Sequence, residues 1–110
     1  MSAASRDKGA RFEREIVTLL RTNGWPRAAR CQDGRVQTAR GDVIDGPQGV
    51  HLECKFHERL NVPKAFDQVR RDANPLDIPV LVHRPSRHVP MATLPLEDLL
   101  PLLRLKEAGL

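Results

Sequence analysis

Apolar residues recur at helical spacing near the start of the chain and at strand spacing in its middle. Phe12, Ile16, Leu19 and Leu20 share one helix face, Val17 widens it, and Gly24 and Pro26 close the run. The pattern predicts a helix over residues 7–23, with residues 1–6 a flexible N-terminus. A short strand is expected over residues 28–31. Beyond the loop of residues 32–40 comes a second strand, residues 42–45, ended by Gly46-Pro47-Gln48-Gly49, a strong turn signal that marks it as a hairpin strand. Residues 50–56 then alternate, with Leu52, Cys54 and Phe56 on one face and His51, Glu53, Lys55 and His57 on the other.

A second helix starts near Pro63, which suits a first-turn position, and gathers Val62, Ala65, Phe66, Val69 and Ala73 on one stripe before Asn74-Pro75 stops it. Residues 78–82 form a near-continuous apolar run, the pattern of a strand covered on both faces. Residues 88–93 read as a strand beside it. Residues 96–105 return to a Leu-rich helix that contains Pro101 and is expected to cover the core. The order is helix, two or three strands, helix, two strands, helix: a single α/β domain over residues 1–110, built on a small mixed sheet flanked by helices.

Eighteen Lys and Arg against fourteen Asp and Glu give a net charge of +4, and the first 71 residues hold +5 of it against −1 for the remainder. A basic excess of this kind points to a polyanionic partner. Arg27, Arg30, Arg35 and Arg40 cluster near the predicted loop, where they suit phosphate contacts. No apolar run approaches the ~18 residues of a membrane span, so a cytoplasmic protein with no membrane partner is expected. Cys31 and Cys54 have no closely spaced partners and read as reduced thiols.

Against this background three carboxylates and a lysine stand out. Glu53 and Lys55 leave one strand face about 7 Å apart, and Asp42 begins the strand before. Asp45, beside Gly46, reads instead as a turn residue. Gly41 removes a side chain where a substrate backbone would approach. Two hard oxygen ligands beside a lysine suit Mg²⁺, which retains waters and accepts phosphate oxygens, and the chemistry they imply is metal-assisted phosphodiester hydrolysis. Helix geometry adds a third acid. Glu13 lies about 100° from Phe12, inside the apolar arc, whereas Glu15 falls outside it with Arg11, Thr18 and Thr22. A carboxylate aimed at a core needs a metal or a cationic partner, and either a catalytic role or a salt bridge to a nearby Arg or Lys satisfies that need.

Taken together, Lys8-Gly9-Ala10-Arg11-Phe12-Glu13-Arg14-Glu15, Gly41-Asp42-Val43-Ile44 and Glu53-Cys54-Lys55 resemble the archaeal-type Holliday junction resolvases of the PD-(D/E)xK nuclease superfamily, phage and bacterial members included. The resemblance covers residues 8–56 and implies a restriction-endonuclease-like core. It also implies that Asp42 and Glu53 hold Mg²⁺, for which Mn²⁺ can substitute, with the Cys54 carbonyl as a backbone ligand. Glu13 would be a further catalytic carboxylate, acting through water or a second metal, and Lys55 the catalytic lysine. The implied partners are branched or duplex DNA and a second copy of the chain, since paired nicks require two sites. Arg14 on the opening helix, and Lys64, Gln68 and Arg71 at i, i+4 and i+7 on the second helix, join the four loop arginines as expected DNA contacts. Two other readings stay open: a nuclease of other DNA structures or linear duplex, and a non-catalytic basic DNA-binding protein whose carboxylates pair with its arginines.

Overall fold

In the computed structural model, which describes residues 3–31 and 41–110, the chain opens with helix α1 (Ala3–Thr22). Residues 3–6, expected as a flexible lead, form its first turn. Phe12, Ile16 and Val17 are buried as their spacing requires, whereas Leu19 at the margin of that stripe is half exposed. Gly24, at φ 112°, takes the left-handed conformation that lets the Trp25 N–H return to the Leu20 carbonyl and end the helix.

Strand β1 (Ala29–Arg30) pairs antiparallel with β2 (Val43–Ile44), Ala29 opposite Ile44 and Arg30 opposite Val43. The second sheet has the order β3 (Val50–Lys55), β4 (Ile78–His83), β5 (Met91–Thr93). β3 and β4 run parallel, with Glu53 opposite Leu81 and Lys55 opposite His83, and β5 returns antiparallel to β4. The expected hairpin between β2 and β3 is not formed. The connecting turn contains two left-handed residues, Asp45 at φ 56° and Gly49 at φ 75°, and it redirects the chain so that β2 joins β3 through one parallel bridge, Gly41 to Leu52.

Helix α2 (Val62–Asp72) supplies the crossover that the parallel β3–β4 pair demands. Its N-cap is Asn61, whose side-chain oxygen accepts from the Lys64 N–H at 3.1 Å, and Pro63 sits in the first turn where a missing N–H does no harm. Alternation along β4 sends Val80 and Val82 into a core shared with Phe12, Ile16, Val17, Ala28, Val43, Leu52 and Cys54. It turns Leu81 to the opposite face, where α2 lies and Val69 is buried. β4 is therefore covered on both sides, as its unbroken apolar run requires. The mixed α/β architecture is the one expected. The last helix, α3 (Leu96–Glu107), departs from expectation: none of its residues is buried, so its leucines do not cover the core.

Candidate active site

Asp42 is placed by backbone before it is placed by chemistry. Its N–H donates to the Leu52 carbonyl and its own carbonyl accepts from the Cys31 N–H, both at 2.8 Å. Gly41 is what permits this approach: at φ 84°, a Cβ there would lie 2.3 Å from the Leu52 oxygen. The glycine thus makes room for the chain's own β3 strand, where a substrate backbone had been expected. With the two strands this close, the Asp42 Oδ2 accepts from the Cys54 N–H at 2.7 Å. A strand residue turns its N–H and C=O to the same edge, so the Cys54 carbonyl lies on the edge of β3 that faces Asp42.

Glu53 shares this corner. Its side chain is 18% exposed, and burial, the adjacent Asp42 charge and a hydrogen bond to Asp42 push its carboxyl up to about 7, against the opposing pull of Lys55. His51, 1% exposed, places Nε2 3.2 Å from Glu53 Oε1. Burial lowers the pKa of that imidazole in spite of the nearby charges of Asp72, Asp77 and Asp42. His51 Nε2 and Glu53 Oε1 share one hydrogen bond whose donor depends on the tautomer, and His51 Nδ1 has no hydrogen-bond partner among the described residues. The sequence placed His51 on the Glu53 face of its strand; that face is the one Leu81 shares, where α2 packs against the neighbouring β4, which explains the burial. His57 is exposed. The Cys54 thiol is buried and held protonated by desolvation and by the carboxylates around it.

Glu13 is resolved as an ion pair. Its Oε1 accepts from Arg30 Nε at 3.0 Å, with side-chain exposures of 14% and 7%. Arg30 is thereby corrected: expected as a phosphate contact, it is buried and faces Glu13. Of the other expected DNA contacts, Arg14, Arg27, Lys64, Gln68 and Arg71 are exposed, while Arg35 and Arg40 lie outside the described residues.

A cleft of about 1080 Å³ opens beside this corner, where the C-terminal ends of the parallel strands β3 and β4 meet the first half of α1. Glu13, Arg30, Cys54 and Lys55 line it together with Arg6, Lys8, Arg11, Arg84, Arg87 and His88. None of Arg14, Arg27, Lys64, Gln68 and Arg71 does. Arg84 is fixed there by a two-oxygen grip on Glu15, at 2.6 and 2.8 Å, and lies 5.4 Å from the ring centres of both Phe12 and Phe56. The basic wall formed by Arg84, Arg87 and His88 was missed in the sequence. The available signal was topological, because open α/β sheets present their ligand crevices at the carboxyl ends of parallel strands.

The donor set fits a hard divalent cation of the Mg²⁺ kind. Two carboxyl groups that repel one another and a backbone carbonyl on the same strand edge match an ion that takes one or two protein carboxylates and fills its remaining positions from water and phosphate. No group of three or more His, Cys, Asp and Glu side chains among the described residues is placed to hold a metal ion by itself, so a fully protein-caged metal is not what this corner offers. Compared with protein-family models, curated proteins and solved structures, the chain gives no significant match in any of the three. No helix among the described residues is long and apolar enough to cross a membrane.

Proposed function

We propose that the protein is a Mg²⁺-dependent DNA endonuclease of the PD-(D/E)xK type, in its most specific form a Holliday junction resolvase that makes paired nicks as a homodimer. The observation that carries this reading is the Asp42–Glu53 carboxyl pair, with Glu53 two residues before Lys55, which itself lines a cleft of basic side chains. Asp42, Glu53 and the Cys54 carbonyl would hold the ion, which supplies Lewis-acid charge to a phosphodiester when bound. His51 orients Glu53 through the hydrogen bond at its Nε2. Lys55 donates toward the developing charge at the scissile phosphate. Arg6, Lys8, Arg11 and Arg87 take the flanking phosphates, and Arg84 braces that wall through Glu15 and the two phenyl rings.

One observation favours the non-catalytic reading in part: Glu13 pairs with an arginine, as that reading requires. It does not extend to Asp42 and Glu53, whose recorded partners are a backbone N–H, a histidine and each other. The two readings separate on cleavage of a mobile-core four-way junction and of linear duplex with matched arms, each in Mg²⁺ and in EDTA. Metal-dependent cutting that Asp42→Asn and Glu53→Gln abolish, with DNA binding retained, is the expected result. Cutting by Asp42→Asn in Mg²⁺ would remove the metal assignment, equal rates on junction and duplex would remove the resolvase form, and binding without cutting on every substrate would leave the non-catalytic reading standing.

A further inference from the structure

Arg84 follows His83 at the C-terminal end of β4, and His83 is the residue opposite Lys55 in the parallel pair. The alternation that sends Val80 and Val82 toward α1 sends Arg84 the same way, where it meets Glu15 and the rings of Phe12 and Phe56. Both Glu15 oxygens are held by a single nitrogen, Nη1, at 2.8 and 2.6 Å. The N–H groups of Nε and Nη2 therefore have no acceptor among the described residues. Arg84 lines the cleft and Glu15 does not, so the grip on Glu15 lies behind the wall and the unspent edge of the guanidinium is the one left for the cleft. The side chain keeps 28% of its surface exposed although it already holds a carboxylate.

This edge is fixed as well as free. A guanidinium 5.4 Å from two ring centres and tied to a carboxylate has lost its rotamer freedom before any ligand arrives. Its planar fork matches two phosphate oxygens, where an ammonium offers only a point charge. Arg6, Lys8, Arg11 and Arg87 line the same cleft without such a tie among the described residues.

We infer that Arg84 is a preorganised phosphate clamp, gripping the DNA strand at a phosphate beside the scissile one with its Nε–Nη2 edge while Glu15 keeps Nη1. The inference rests on the reading of the cleft as a DNA site and adds to it a contact whose geometry is set before DNA binds. Because that phosphate does not react, the grip is equal in the ground and transition states.

Two charge-conserving changes test it on the full chain, by DNA titration in EDTA and cleavage kinetics in Mg²⁺. Arg84→Lys keeps the charge and loses the fork; R84Q/E15Q keeps the net charge and removes the guanidinium. Each is expected to raise Kd and KM by about fivefold to tenfold with kcat within about twofold of the wild type. Glu15→Gln leaves the free edge in place between the two rings, and its Kd is expected to rise by no more than about twofold. A mere brace gives a different pattern, since loss of either partner breaks the same tie. Equal losses for Glu15→Gln and R84Q/E15Q overturn the clamp, as does an Arg84→Lys variant that binds like the wild type; if the wild type still cuts, the nuclease reading survives either result. Binding that depends on Arg84 but leads to cleavage of no substrate keeps the clamp and removes the nuclease, and a wild type that binds no DNA overturns both.

Discussion

Glu53 takes up its proton near pH 7 in the folded chain, against an ordinary 4.5, so between those values the native state holds a proton that the unfolded chain has released. Stability contributed by this group is complete below about pH 4.5 and is lost as pH rises through 7, a difference on the order of 2 kcal/mol. His51 acts in the opposite sense, because its lowered pKa makes acid unfavourable to the folded state, and comparison with Glu53→Gln separates the two. Urea unfolding in EDTA at pH 5.5 and 8 is expected to show the wild type losing stability relative to Glu53→Gln at the higher pH. Mg²⁺ should restore that loss in the wild type and leave Glu53→Gln unmoved; identical pH dependence in the two proteins would contradict the carboxyl pair. Glu13 behaves differently, since it answers a buried guanidinium. Glu13→Ala is expected to destabilise the fold by about 2–4 kcal/mol in the same assay, and a loss below about 1 kcal/mol would contradict a structural role for the pair. The helical angle of Glu13 showed that it needed a partner, but the identity of that partner depended on Arg30, seventeen residues away and brought close where β1 packs against α1. Asp42 was distinguishable from Asp45 because a residue before Gly46 belongs to a turn, and Asp45 is indeed left-handed at φ 56°.

Elements with their own strong period were legible: α1, α2 with its Asn61 cap, and β4 with apolar residues on both faces. Pairing was harder. The turn after β2 reads as a hairpin, yet the approach of Gly41 to Leu52 is a contact between strands whose relative direction no local pattern encodes. The Leu-rich pattern of α3 was equally clear as a helix, and what escaped was that none of its residues is buried, because leucine spacing does not say whether a helix packs on its own core. Between β4 and β5 the turn closed by the His88 N–H on the Pro85 carbonyl, at 3.0 Å, holds Arg87 at φ 64°. A side chain there strains the backbone by about 1–2 kcal/mol, and the residue lines the basic cleft. Arg87→Gly is therefore expected to raise stability by about 0.5–1 kcal/mol while weakening DNA binding and reducing its salt dependence by about one phosphate contact. Thermal melting and DNA titration on the same variant check both halves. A glycine variant that binds DNA like the wild type would take the loop out of the interface.

At the scale of the molecule, the +4 net charge is too small to indicate where DNA would lie on the proposed nuclease, and two basic surfaces are candidates. One is the cleft wall, with Arg6, Lys8 and Arg11 projecting from α1. The other is the outer face of α2, with Lys64 and Arg71. Of the two, the cleft is the one lined by Lys55 and Cys54, the residues that follow Glu53. Counterion release turns this into a measurement, because each phosphate neutralised contributes about 0.9 to the slope of log K against log salt. Replacing Arg6, Lys8 and Arg11 together with Ala should lower the slope by about 2–3 and weaken binding to every DNA of equal length, whereas replacing Lys64, Gln68 and Arg71 should change it by less than about 1. The side chains of both sets are exposed, so neither triple substitution disturbs the core, and affinities measured between 50 and 200 mM salt report the interface directly. A larger slope change from the α2 set would move the DNA track off the carboxyl pair, and the nuclease reading would lose the surface that brings a phosphodiester to it.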